Sequence, residues 1–214
     1  MNLTKTTVIT GVVLLMTLNG GNIMAIEEAE YSVVDKAGDI ELRDYAASIV
    51  AETLVEDEFE DAGNRAFRPL FKYISGDNES SEEISMTSPV SQEKRSEKIA
   101  MTAPVSQTES NGGWAVSFMM PAEYTMDTIP QPTNSVVRIR EVPAFCAAVI
   151  RFSGRWTEKN YTEHLAKLQS WITDQQLKID GEPIWARYDP PFKPWFMRRN
   201  EILIPVLYGC KTPL

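Results

Sequence analysis

The chain is poor in the groups that carry most enzyme chemistry. It has one histidine, His164, and two cysteines, Cys146 and Cys210, in 214 residues. One histidine leaves little room for a nucleophile–base pair of the usual kind. Gly-x-Ser-x-Gly, His-Glu-x-x-His and a glycine-rich phosphate loop are all missing. The cysteine spacing matches no zinc motif. Carboxylates are plentiful, yet they gather in turns and at helix starts, where solvated charge explains them. Glu182, close in sequence to Trp185, is the exception. The expectation is a protein that is not an enzyme. Positive charge is scarce too. Lys and Arg number 21 against 30 Asp and Glu, a formal net charge of −9. Such a chain repels nucleic acid and anionic lipid, so no nucleic-acid partner is expected.

Long apolar runs are absent except at the start. Val8 to Leu18 follows the basic Lys5, and Asn19-Gly20-Gly21-Asn22 breaks it before the small residue of Ile23-Met24-Ala25. The run is shorter than the roughly 20 residues of a membrane helix. Residues 1–25 read as a secretory signal peptide cut after Ala25. An uncleaved anchor is the competing reading. Cleavage would leave an exported chain, periplasmic or secreted, with no stable membrane span. Residues 26–214 amount to a single domain. In an oxidising compartment Cys146 and Cys210 could form one bridge; a buried thiol and a loose tail thiol are the alternative.

What the chain has in quantity is alternation. Ile84-Ser85-Met86-Thr87-Ser88-Pro89-Val90-Ser91 is echoed by Ile99-Ala100-Met101-Thr102-Ala103-Pro104-Val105-Ser106. Every second residue is largely apolar, the pattern of a strand with one buried face. Met86 and Met101 then face one interior, as soft liners for a flat apolar guest or as ordinary core filler. Trp114 to Met120, Ile184 to Tyr188 and Ile202 to Val206 alternate similarly. A weaker repeat aligns Ile40-Glu41-Leu42-Arg43-Asp44 with Val137-Arg138-Ile139-Arg140-Glu141. It suggests two ββα-type halves related by a pseudo-two-fold.

Two stretches switch to helical spacing. The first runs from about Glu58 to Ile74, with Asp57 as N-cap and Gly76 just past the end. Phe59, Ala62, Ala66, Phe67, Leu70 and Ile74 are expected to face a sheet. Arg65, Arg68 and Lys72 form a separate basic stripe, and Pro69 is expected to kink the helix. The second helix runs from about Glu158 to Gln175, capped by Thr157, with Tyr161, Leu165, Leu168 and Ile172 on one face. Asp189 to Phe196 carries three prolines and reads as a stiff aromatic loop. The fold class is α+β, mostly antiparallel, with two main helices.

The doubled I-x-M-T-[SA]-P-V phrase resembles the signature of the SOUL, or haem-binding-protein, family. Other pieces stand in the same order: Tyr31-Ser32-Val33-Val34 with Ile40 to Tyr45, Ala66 to Gly76, Met120 to Thr125, and Phe152-Ser153-Gly154. The resemblance spans about Tyr31 to Val206. It implies a distorted β-barrel with two helices that binds haem or a related tetrapyrrole non-covalently. No Cys-x-x-Cys-His is present for a covalent link.

Haem needs an apolar slot and cations for two propionates. The slot candidates are Met86, Met101, Trp185, Trp195 and Phe196. The propionate candidates are Arg65, Arg68 and Lys72, because guanidinium pairs well with carboxylate. The bland alternatives are a solvated helix face for the cations and an aromatic plug for Trp195 and Phe196. His164 reads as a surface residue and no metal ligand is assigned. The function expected is an exported tetrapyrrole carrier or buffer. A promiscuous binder of amphipathic small molecules and a cryptic hydrolase of such ligands are the alternatives.

Overall fold

The computed structural model describes residues 26–80 and 96–208. In chain order the elements are β1 Glu27–Glu28, β2 Tyr31–Ala37, β3 Ile40–Tyr45, β4 Ser48–Val55, α1 Phe59–Ile74, β5 Asn78–Glu79, β6 Thr102–Ala103, β7 Val105–Ser110 and β8 Gly113–Met119. There follow β9 Gln131–Pro132, β10 Val137–Val142, β11 Phe145–Phe152, α2 Glu158–Asp174, β12 Lys178–Ile179, β13 Ile184–Arg187, a 3-10 turn Trp195–Met197 and β14 Asn200–Leu207.

One antiparallel sheet dominates, in the order β10-β4-β8-β7-β13-β14-β11-β3-β2, with β12 beside β14. Outward from the β7–β13 seam, one side carries β8, β4 and β10; the other carries β14, β11 and β3. The α+β class with two helices is therefore observed. The closed barrel is not: among the described residues no pairing joins β2 to β10. The β2 edge is built to stay open. Its register shifts between Val33 and Asp35, and Lys36 is tied to Glu41 at 2.7 Å. A bulge and charges on an edge strand discourage further pairing.

Alternation divides the sheet into two faces. One face carries both helices. Ala51, Val116 and Phe118 pack with Ala66, Leu70 and Tyr73 of α1. Ala148, Ile150, Ile202 and Ile204 pack with Leu168 and Ile172 of α2. Leu70 and Leu168 are fully buried. Each such side chain contributes about 1.5–3 kcal/mol by leaving water.

The helix boundaries follow the sequence closely, with one change of mechanism. Thr157 accepts the Asn160 amide at 3.3 Å, so α2 is capped as expected. The N-cap of α1 is Glu58, with no side-chain cap bond. Asp57 instead accepts the Glu58 amide at 3.0 Å and pairs with Arg65 at 2.7 Å. α1 runs unbroken through Pro69. Gly76 follows its end at φ +115°, a conformation side chains resist.

The doubled phrase fares differently. Its first copy, with Met86, lies outside the described residues. In the second copy only Thr102–Ala103 and the residues from Val105 are strand. Residues 96–101 run extended beside the end of α1, where the Ile99 amide donates to the Ile74 carbonyl at 2.8 Å. Alternation there arises from packing beside a helix rather than from a ladder. Cys146 is buried in β11 and no free cysteine stands among the described residues; Cys210 lies outside them.

The other face holds a buried charge cluster. Glu201 of β14 is 0% exposed. Arg43 of β3 donates to both its oxygens, at 2.7 and 3.2 Å. Arg199 donates to it at 2.9 Å and the Tyr188 hydroxyl at 3.0 Å. Replacing Glu201 by alanine would leave the buried Arg43 with Glu41, and Arg199 with Glu28, as remaining carboxylate partners. Urea unfolding of Glu201→Ala is expected to show a loss of about 3 kcal/mol, the low end for a broken buried pair.

Burial raises the phenols of Tyr45, Tyr73 and Tyr188 above their ordinary value. A raised acid stabilises the fold below its unfolded pKa of about 10, and that stability drains away as pH climbs past it. Arg187 opposes this, because burial pulls its guanidinium down to about 10. Three phenols outweigh one guanidinium. Alkaline titration is expected to unfold the protein above about pH 10, with tyrosinate absorbance and the loss of far-UV dichroism rising together. Tyrosinate appearing well before unfolding would contradict this.

Candidate functional site

α1 presents an outer face that the sequence pattern only half revealed. Phe67 and Phe71, one turn apart, are 39% and 46% exposed. Their rings stack at 5.5 Å and 14°. Phe67 also meets buried Phe118 edge-on at 5.4 Å, which fixes the pair against the sheet. Arg68 and Lys72 follow on the adjacent stripe, both exposed, and no carboxylate among the described residues pairs with either. Met101 is 41% exposed, two residues beyond Ile99, which is buried in the same cluster as Leu70 and Phe118. The result is a firm aromatic surface beside two cations that are unpaired among the described residues.

The expected site residues are not all gathered there. Phe67 does not face the sheet as its spacing suggested; it sits at the edge of the buried arc. Phe71 was missed, although an aromatic pair at i, i+4 is a legible signal. Arg65 shares the stripe but is held by Asp57 through a charge contact rather than an angular hydrogen bond. Met86 lies outside the described residues.

Trp185 is core, not slot. It is 1% exposed, stacked on Phe59 at 4.4 Å, with Tyr161 at 5.6 Å and the Arg187 guanidinium at 4.2 Å. No open ring face is left for a ligand. The reason is topological: β13 is a central strand, and its odd-numbered residues point under the helices. Arg187 is buried alongside, held by Gln107 at 2.8 Å and by Trp156 and Trp185 rather than by a carboxylate. Gly63 lets it in, since a Cβ there would come 2.3 Å from its Nη1.

Trp195 and Phe196 lie on the 3-10 turn, 49% and 61% exposed, crossing at 5.6 Å and 87°. They plug no barrel end. Trp195 leans on Arg155 at 5.6 Å, and its carbonyl accepts the Gly154 amide at 3.1 Å. That places them by the start of α2. His164, half-buried on α2, is engaged: Nδ1 lies 2.7 Å from the Asn160 carbonyl and its ring stacks on Phe152 at 3.9 Å.

Behind the sheet, on the face away from both helices, lies a cleft of ≈ 1220 Å³. Tyr45, Phe145 and Tyr188 wall it, and Ser106, Thr108, Ala115 and Ser117 form its floor. Sequence reasoning missed it because its lining comes from strands far apart in the chain.

Residues 26–205 match the family model described as SOUL heme-binding protein. Heme-binding protein 1 of Xenopus laevis is 29% identical over 163 residues, covering 76% of this chain and 80% of that protein. Heme-binding protein 2 of Homo sapiens is 28% identical over 174 residues, covering 77% and 80%. Among solved structures, the EcmrR C-terminal domain is similar with a TM-score of 0.56 at 12% identity, covering 82% of this chain and 97% of that one. Identity that low speaks for a shared fold alone. The family model covers nearly all of the described chain, and the motif pieces stand in order within it, so this protein belongs to the SOUL heme-binding protein family.

Proposed function

We propose that this protein binds haem, or a related tetrapyrrole, non-covalently on the outer face of α1. The macrocycle lies against Phe67 and Phe71, and the propionates reach Arg68 and Lys72. The stacked, exposed ring pair beside two cations that no described carboxylate pairs is the observation that carries this reading, in a chain of a haem-binding family. Burial of the macrocycle dominates the energetics. Several hundred Å² of apolar face at roughly 25 cal/mol per Å² outweighs a surface ion pair worth about 0–1 kcal/mol. Ordering and imperfect pairing consume much of that gain, so affinity is moderate. Iron contributes little, because the one histidine is on the other helix and is occupied by Asn160 and Phe152.

The biological role we infer is an exported carrier or buffer rather than an enzyme. The basic start, short apolar run and small residue at Ala25 support export. The single engaged histidine supports binding without turnover. The strand order, which repeats outward from the β7–β13 seam, supports reading the domain as two like halves.

Three variants test the site through the haem Soret band. Arg68→Glu with Lys72→Glu is expected to weaken haemin binding by about tenfold at low salt and less at high salt. Phe67→Ala with Phe71→Ala should weaken it at every salt concentration, and circular dichroism should show the variant still folded. His164→Ala should leave the band unchanged. Iron-free protoporphyrin should bind within about tenfold of haemin, roughly 1.4 kcal/mol. If His164→Ala abolished binding and iron-free porphyrin failed to compete, axial coordination would hold the ligand and the proposal would be wrong.

Export is tested separately. N-terminal sequencing of the mature protein should begin near Ile26; an intact Met1 on membrane-bound material would refute cleavage.

A further inference from the structure

We propose that the loop between β13 and β14 docks this protein on a lipid bilayer, with its aromatic tip in the zone where headgroups meet acyl chains. The docking does not depend on the haem site of α1.

The tip is apolar and bare. Phe192, Trp195, Phe196 and Met197 are 87%, 49%, 61% and 57% exposed. Single exposed apolar residues are ordinary, but four large ones within six positions mark an interaction surface. Their exposure is not looseness. Lys193 reaches Asp189 at 2.6 Å, and its carbonyl accepts the Arg198 Nε–H at 2.8 Å. The Pro191 carbonyl accepts a second Arg198 N–H. The Lys193 and Met197 amides donate to the Pro190 and Pro194 carbonyls, at 3.1 and 2.9 Å. Arg198 lies over Trp156 at 4.4 Å, and that indole N–H donates to Asn200 at 2.9 Å. The backbone is held while the apolar side chains stay outside, so docking costs little ordering entropy.

Shape favours a bilayer over a protein groove. Trp195 and Phe196 cross at 87°, so they offer no common plane to a complementary surface. A fluid interface asks only for apolar volume. Tryptophan, an apolar ring with one N–H, is a residue type that settles at headgroup level.

Charge agrees with this. Arg155 lies 5.6 Å from the Trp195 ring and, like Arg198, pairs with no carboxylate among the described residues. Lys159 meets only Glu163, at 3.9 Å, and both are exposed. Arg155, Lys159 and Trp195 line a hollow of ≈ 390 Å³ whose one carboxylate is Glu163. It gives a headgroup phosphate room between two cations. The loop's own acid, Asp189, is taken up by Lys193 and the Arg199 amide. The net charge of −9 opposes an anionic surface, and this loop is where the opposition is weakest. The cationic excess is small, because Glu60 accepts the Glu158 amide at 3.2 Å near the start of α2. The aromatics therefore carry the binding, and the cations bias it toward anionic lipid.

The test uses vesicles of brominated phosphatidylcholine, alone or mixed with phosphatidylglycerol. Bromine quenches an indole only on contact. Trp185 is 1% exposed and Trp114, Trp156 and Trp171 are partly buried, so Trp195 is the indole expected to be quenched. A leader that stays attached would bring the chain to vesicles by itself, but residues 1–25 hold no tryptophan, so quenching reports the loop. Trp195→Phe should abolish the quenching. Phe192→Ser with Phe196→Ser should raise the lipid concentration for half-quenching by about tenfold or more. Arg155→Glu with Lys159→Glu should remove a several-fold preference for phosphatidylglycerol and leave binding to phosphatidylcholine in place. Val33→Ser with Val34→Ser, an exposed apolar pair on β2, should change nothing. Circular dichroism checks that each variant is folded. No quenching of the unaltered protein, quenching that persists in Trp195→Phe, or loop variants that quench like the unaltered protein would overturn the proposal. So would self-association in vesicle-free solution that Phe192→Ser with Phe196→Ser abolishes, without quenching by lipid; the tip would then be an interface between copies of this chain.

Discussion

A carboxylate with no access to water organises one half of this molecule. Glu201 is buried in the sheet with Arg43, Arg199 and Tyr188 bonded around its carboxylate. A buried carboxylate without such partners would cost several kcal/mol. Arg43 reaches it from β3 across the intervening β11, where Ala147 and Val149 are small enough to be crossed. The bond set therefore ties β3, β11 and β14 into one unit. Tyr31 of β2 lies over the Arg43 guanidinium at 4.2 Å and fastens the edge strand to it. One end of the rear cleft is thereby made rigid.

Around that fixed unit, one sheet serves two chemistries. The helix-facing side is filled by core side chains, and α1 presents its outer side as a surface. That surface carries rings and cations. The rear side is hollow and rimmed with acid. The net charge of −9 describes neither face.

Much of this was legible from residues alone. The extents of α1 and α2, the Thr157 cap and the basic stripe of Arg68 and Lys72 follow from local rules that tertiary contacts did not override. Trp185 illustrates the limit. Its alternation with Ile184 and Ala186 marks a strand, but a strand pattern does not say which face meets helices and which meets a cleft. Phe67 shows a subtler one. Helical spacing assigns it to the apolar arc, yet its place at the arc's margin leaves it 39% exposed, where it joins Phe71. Trp195 and Phe196 looked like liners because aromatic residues usually seek cover; three prolines hold them in a turn outside the sheet instead.

The sequence by itself determined the periodicities, and with them the α+β class, the helix faces and the motif order that marks the family. Those features depend on residues within a turn or a few strand positions of one another, so spacing is enough to read them. Only the tertiary structure decided that Glu201 would find Arg43, 158 residues away in the chain. It also brought glutamates from Glu27 to Glu182 around one cleft and, among the described residues, left β2 and β10 unpaired with each other. Each of these depends on which strands lie side by side. That order is set by packing the whole sheet against two helices, and no local pattern encodes it.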